Sequence, residues 1–259
     1  MIDIQPVIGI PALRNGNILV IGDLHIGVES HLGAKGFHLV SRTKEMLNTV
    51  IEISEDCDRI IIIGDVKDSV PGTSKQEYRE IPEFFDNLLD IFSEVDVIRG
   101  NHDTNLEEFL PRGVRLRPAT GLKVGRVGYV HGHTWPSEDV MNCEILIMAH
   151  NHPAVMFKDG VGKITTEPCW MRGKFLDTES ERYSVLPEKF IVIPAFNRML
   201  GGSPVNVEKE DLLGPLLNSK LTDIDNAQIY LLDGVNLGKR SDLMIKGRNN
   251  SRWKAKDKK

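Results

Sequence analysis

The sequence predicts an α/β domain that carries a second, more β-rich sheet. Three observations lead there. Apolar strands at Ile18–Ile21, Ile60–Ile63 and Asp96–Arg99 each run into a glycine followed by Asp or Asn. Segments of helical periodicity separate those strands, which argues for parallel strands joined by crossover helices. Beyond residue 120 the apolar runs become short and are spaced by turn residues, with few helical patterns between them.

Each element follows from local chemistry. Val7–Ile10 and Asn17–Ile21 are β-branched runs separated by Arg14-Asn15-Gly16, and Asn-Gly at a turn signals a hairpin. Val40–Ser54 places Met46, Leu47, Val50, Ile51 and Ile53 near helical spacing. Lys75–Phe92 puts Ile81, Phe84, Phe85, Leu88, Leu89 and Phe92 on one broad helical face. Leu122–Val124, Val127–Val130, Ile145–Met148, Val155–Phe157 and Phe190–Ile193 read as short strands, and Gln228–Leu232 as a late strand before the turn Asp233-Gly234.

Length and composition bound the class. A chain of 259 residues can bury a substantial core, and 41% hydrophobic with 27% charged residues excludes a largely disordered or fibrous chain. The longest apolar runs fall far short of the roughly 20 residues that span a bilayer. The N-terminus lacks the pattern of a signal peptide, and Cys57, Cys143 and Cys169 form no CxxC. A cytoplasmic protein without a membrane partner is the expectation. The net charge of −5 divides unevenly: residues 246–259 carry +6, which leaves −11 on residues 1–245. One domain over 1–245 followed by a basic tail is therefore expected. The tail reads either as a solvated terminus or as an arm touching phosphates, with Trp253 available for stacking.

Histidine carries the functional signal. Six of eight histidines fall in short clusters: His25, His102, His131 with His133, and His150 with His152. Five segments that each follow an apolar strand carry these histidines and the carboxylates between them: Gly22-Asp23-Leu24-His25, Gly64-Asp65-Val66-Lys67-Asp68 (carboxylates only), Gly100-Asn101-His102-Asp103, His131-Gly132-His133 and His150-Asn151-His152. Ligands in open α/β sheets bind beyond the carboxyl ends of the strands, so these turns converge on one site. Any one of them alone is compatible with a helix cap, a turn or a surface loop; together they absorb nearly all the histidine. Carboxylates and imidazoles without thiolate suit Mn, Fe, Zn, Ni or Co. The donors outnumber what one ion takes, and two ions sharing a carboxylate form the clamp used for displacement at phosphorus.

In this order the five segments resemble the calcineurin-like metallophosphoesterase superfamily, with one departure, Ala149 where Gly is usual. The resemblance implies a four-layer α/β/β/α sandwich. It implies one metal on Asp23, His25, Asp65 and His152, and another on Asp65, Asn101, His131 and His150, with manganese first among the metals named. It places His102 as proton donor to the leaving oxygen, Asp103 as the residue orienting it, and His133 and Asp68 beside the metals or toward the substrate. The segment Gly64–Ser69 lacks the arginine of protein Ser/Thr phosphatases. Over residues 7–240, the hairpin before Asp23, the His131–Pro136 block and Phe196–Gly202 look like the archaeal SbcD-related phosphoesterases, without room for a full DNA-capping domain.

The function expected from these features is a two-metal phosphodiesterase or nuclease, its partner a nucleic acid or nucleotide. A phosphomonoesterase or small-nucleotide phosphatase is the first alternative. A non-catalytic scaffold is the second, and it predicts eroded ligand positions, whereas all are filled. A homodimer is compatible with all three.

Overall fold

The computed structural model describes residues 3–34, 36–37, 39–208 and 211–246. The basic tail beyond Lys246, with Trp253, lies outside the described residues, as does His38. Among the described residues no helix is long and apolar enough to cross a membrane.

The first sheet comprises β1 (Ile4–Pro6), β2 (Leu13–Asn15), β3 (Ile18–Ile21), β4 (Arg59–Ile63), β5 (Glu94–Ile98) and β6 (Val114–Arg117), in that spatial order. The first three form antiparallel pairs, and β3 through β6 run parallel. Helices α1 (Val28–Ala34), α2 (Thr43–Glu52) and α3 (Lys75–Ile91) lie in the connections between β3 and β5. Leu19, Ile21, Ile60, Ile62, Val95 and Val97 bury one sheet face against Met46 and Val50 of α2 and Phe84, Phe85 and Leu88 of α3.

The second sheet contains β7 (Leu122–Val124), β8 (Val127–Val130), β9 (Ile145–Met148), β10 (Pro153–Lys158), β11 (Ile164–Phe175), β12 (Lys189–Val192), β13 (Ser203–Pro204), β14 (Thr222–Leu231) and β15 (Asn236–Lys239). Strands β8, β9 and β12 are parallel neighbours, while β11 pairs antiparallel with β10, β12 and β14. Alternate residues of the two sheets meet in a shared core, with Val20, Ile61, Ile63 and Ile98 against Tyr129, Ile147, Trp170 and Ile193. The outer face of the second sheet packs on the four-residue helix α4 (Glu138–Met141) and on Val205, Leu212, Leu216 and Leu217. The sandwich expected from the sequence is present, with a fourth layer built mostly of loop.

Three elements differ from the sequence reading. Val7–Ile10 is a turn: Val7 N–H donates to Ala12 O at 2.8 Å and Gly9 takes φ +76°. The flanking Pro6 and Pro11 lack ladder donors, so the hairpin strand begins at Leu13. Val40 is 87% exposed, and α2 starts three residues later at Thr43. The long strand β11 carries only the short apolar run Cys169–Met171, because Pro168, Gly173 and charged residues flank it.

Candidate functional site

The carboxyl ends of β3, β4, β5, β8 and β9 gather the five segments, four of which bear histidine. The backbone there is unusual. Asp23 (φ 56°), His25 (φ 42°), Asp65 (φ 49°), His150 (φ 68°) and His152 (φ 42°) all occupy the left-handed region. Such conformations cost free energy and persist where the surroundings over-determine them, typically at functional sites. Two glycines permit the crowding. A Cβ on Gly64 would lie 2.5 Å from His131 Nδ1, and one on Gly100 would collide with Asp65. The Ala149 methyl faces Gly22, which has no side chain to oppose it, so the departure from the usual glycine is accommodated.

Asp23 and Asp65 sit at the centre, both buried. Asp23 Oδ2 accepts from His150 N at 3.2 Å, while Asp23 Oδ1 stands 3.3 Å from His152 Nε2. Asp65 Oδ1 accepts from His102 N at 2.9 Å. Asp65 Oδ2 lies 3.3 Å from His131 Nε2 and 3.5 Å from His25 Nε2. Asn101 Oδ1 is 3.1 Å from His131 Nε2. The other ring nitrogen of each of these histidines is fixed: His131 Nδ1 donates to Ile63 O at 3.0 Å, and His25 Nδ1 pairs with Asp68 Oδ1 at 3.1 Å. Both Nε2 atoms are thereby aimed inward.

Among the described residues, three groups of three have ligand atoms within 4.8 Å of one another: Asp23 with His25 and His152, Asp65 with His131 and His150, and His25 with Asp68 and His102. Asp23 Oδ1, His25 Nε2 and His152 Nε2 are buried without a hydrogen-bond partner. Buried polar atoms of native proteins are nearly always paired. Three orphans of the right chemistry, facing one another, fit a divalent cation.

Electrostatics agree. Burial pushes the His131 imidazole down, but Asp65 and Asp23 more than offset it and hold it up at about 9. Burial likewise disfavours ionised Asp65, yet His131, His25 and the His102 N–H keep its carboxyl well below the usual range. His150 is pushed down to about 4 by burial and by His131.

The remaining sequence-predicted residues divide. His102 stands with its ring centroid 4.8 Å from that of His25, and its Nδ1 donates to Asp68 O at 2.7 Å. His133 lies 5.1 Å from His131 between centroids, with a buried and unpartnered Nδ1; burial and then His131 lower its pKa. Asp68 takes His25 on one oxygen and His31 on the other, at 3.4 Å. Asp103 does not hold the His102 ring. Its carboxylate turns inward, accepting from Val66 N at 2.8 Å, Lys67 N at 3.3 Å and Gly100 N at 2.7 Å. It ties together the loops after β4 and β5, and the Asp68 carbonyl positions His102 instead.

Two supporting residues escaped the sequence reading. Glu77 accepts from Asp68 N at 2.9 Å and Ser69 N at 2.7 Å while closing a capping box with Ser74. Ser-x-x-Glu is a recognisable helix start, so Ser74-Lys75-Gln76-Glu77 was the available signal. Asn197, after β12, donates from Nδ2 to Leu24 O at 2.9 Å and from its backbone to Asp23 O at 3.3 Å, bracing the Asp23 turn from the second sheet. Nothing in its local pattern announces that contact.

A sequence-family model described as calcineurin-like phosphoesterase matches residues 16–179. No curated protein sequence matches the chain. Among solved structures, the chain is similar to a Pseudomonas putida nuclease named MPE, at 18% identity and TM-score 0.54, covering 89% of this chain and 98% of that one. It is more distantly similar to YfcE, a phosphoesterase from E. coli, at 13% identity and TM-score 0.39, covering 86% and 97%.

Proposed function

The chain belongs to the calcineurin-like phosphoesterase family, and on that premise we propose that it hydrolyses phosphodiester bonds in nucleic acid or nucleotides. One observation carries the reading: the unpartnered, buried Asp23 Oδ1, His25 Nε2 and His152 Nε2, beside a second donor group reached through Asp65. In this reading Asp23, His25, Asp65 and His152 hold one divalent ion, and Asp65, Asn101, His131 and His150 hold another. Manganese leads, and iron, zinc, nickel and cobalt suit the same donors. When bound, such ions lower the pKa of water and offset charge on the transferring phosphoryl group.

The chain's own residues supply the rest. A carbonyl oxygen only accepts, so His102 Nδ1 carries a proton toward Asp68 O. His102 Nε2 is then the atom that protonates the leaving alkoxide when the ring is cationic. His133, unpartnered on Nδ1, offers an N–H at that atom to a phosphate oxygen.

Support for a diester substrate comes from the likeness of the Phe196–Gly202 and His131–Pro136 segments to the archaeal SbcD-related enzymes, from the +6 tail treated as an arm beyond a single domain, and from the fold neighbour named a nuclease. The three free cysteines support a reducing, cytoplasmic setting. The −11 borne by residues 1–245 favours a second reading, a phosphomonoesterase or small-nucleotide phosphatase, because it repels a long duplex.

Purified protein with Mn²⁺ separates the readings when offered bis-p-nitrophenyl phosphate, p-nitrophenyl phosphate, and labelled single- and double-stranded DNA and RNA. Turnover of diesters is expected. Turnover of the monoester alone would establish the second reading, and none with metal bound would leave a scaffold.

A further inference from the structure

A second concave site lies away from the histidines, on the inner face of the second sheet. Strand register puts its residues on one side. Lys174 of β11 pairs directly with Lys189 of β12 and with Asp223 of β14. Arg172, two residues back on the same face, pairs with Gln228, which pairs in turn with Lys239 of β15. Directly paired residues share a face, and neighbouring strands are about 4.8 Å apart. Four cations therefore span four adjacent strands, lining a cavity of about 540 Å³ with Asp223, Asn226 and Gln228.

This patch is uncompensated among the described residues. Among the described residues, none of Arg172, Lys174, Lys189 or Lys239 has a carboxylate within salt-bridge distance, although residues 1–245 are strongly acidic. The one acid on the patch, Asp223, is occupied: its oxygens accept from Asn226 Nδ2 at 3.1 and 3.0 Å. Lys174 and Lys189 are like charges placed directly opposite, an arrangement that destabilises a sheet when nothing offsets it. The Arg172 guanidinium lies 5.1 Å over the Tyr230 ring, and its buried Nε–H has no partner. A guanidinium stacked on an aromatic ring, among three ammonium groups without a carboxylate partner, suits an oxyanion.

We propose that this patch binds a small oligophosphate, of the class of pyrophosphate or a nucleoside diphosphate. Four cations against one acid leave a surplus of three, which complements the charge of a diphosphate better than that of a single phosphate. The cavity falls within the roughly 300–1,000 Å³ of small-ligand sites. The Arg172 guanidinium and the neutral Gln228 amide share the lining with the lysines. The site is independent of the phosphoesterase reading.

The test is isothermal titration of the full chain, stripped of metal with EDTA so that the histidine site has little phosphate affinity. Probes are ADP, pyrophosphate, inorganic phosphate and an oligo-dT. ADP and pyrophosphate are expected to bind saturably and more tightly than inorganic phosphate. The double variant Lys174→Glu/Lys189→Glu should weaken both by about tenfold or more, since two charge-assisted contacts become repulsive. Its Mn²⁺-dependent turnover of bis-p-nitrophenyl phosphate should be unchanged. Lys239→Glu, at an exposed position of β15, gives an independent reading should the double variant not fold. Absence of saturable binding to the unmodified chain, or equal affinity in the variants, overturns the proposal. So does variant-sensitive binding of oligo-dT without binding of ADP or pyrophosphate, which would make the patch a nucleic-acid contact.

Discussion

Asp96 inside β5, and Asp23 and Asp65 beyond β3 and β4, are fully or almost fully buried carboxylates on one sheet, yet their surroundings differ in kind. Asp96 is saturated by cations of the chain. Its oxygens accept from Arg59 Nε and Nη2 at 2.9 and 2.7 Å, from Arg115 Nε and Nη2 at 2.9 and 2.7 Å, and from Arg117 Nε at 2.7 Å. Asp23 accepts one backbone N–H on one oxygen and leaves the other unpaired. Around Asp23 and Asp65 stand imidazoles, which are strong donors to a cation only when neutral. Where a buried carboxylate is structural, the chain supplies the compensating charge and completes its hydrogen bonds. Where it is left incomplete among histidines, the missing charge comes from outside.

Breaking the carboxylate proposed to be shared should give the largest effect. Asp65→Asn keeps the shape of a residue that tolerates positive φ, but removes the negative charge that the two proposed metal sites would share. Metal analysis should show loss of bound divalent ion, and turnover should fall by about 10³-fold or more, corresponding to several kcal/mol of transition-state stabilisation. Thermal stability in EDTA should change little. Retained metal and activity would remove the distinction between the two carboxylate environments.

His102→Ala sharpens the same region. With Nε2 gone, turnover should fall by roughly 10²–10⁴-fold, the range of a general acid. Metal content should match the parent, because the inward-facing atoms of His25, Asp65 and His131 are untouched. A substrate with a better leaving group should recover much of the lost rate, as a structural defect would not. Loss of metal in this variant would sink the assignment of His102 as acid.

How much of this was legible beforehand follows the distance over which each contact acts. The site-forming segments were readable because each couples a strand end to its chemistry within four or five residues. Asp103 shows the limit of the same local logic: adjacency to His102 in sequence suggests contact, but successive side chains of this turn point apart, and Asp103 binds amides of its own and the neighbouring loop. Asn197 joins Asp23 and Leu24 from the far end of the second sheet, a contact only the assembled sandwich creates. The strand β6 hid behind Arg115 and Arg117, whose charges broke the apolar pattern because they complete Asp96 in three dimensions. The Lys174–Lys189 pair was likewise invisible until register placed two distant lysines side by side.

Asp96→Asn tests the other half of the comparison and should leave the histidine site working. Three arginines lose their shared carboxylate, so unfolding free energy should drop by about 3 kcal/mol, somewhat moderated because Arg115 and Arg117 reach solvent. The effect carries a pH signature. Burial alone would raise the Asp96 carboxyl, but Arg115, Arg117 and Arg59 outweigh it and hold the pKa below its usual value. A depressed carboxylate contributes its stability above the unfolded pKa, near 3.9, and loses it as pH falls through the folded value. The parent and Asp96→Asn should therefore differ by a constant amount at neutral pH and converge only below about pH 4. Denaturant melts at pH 7, 5, 4 and 3 in EDTA read this directly. A gap that closed already between pH 7 and 5 would mean that Asp96 is not the group responsible for it.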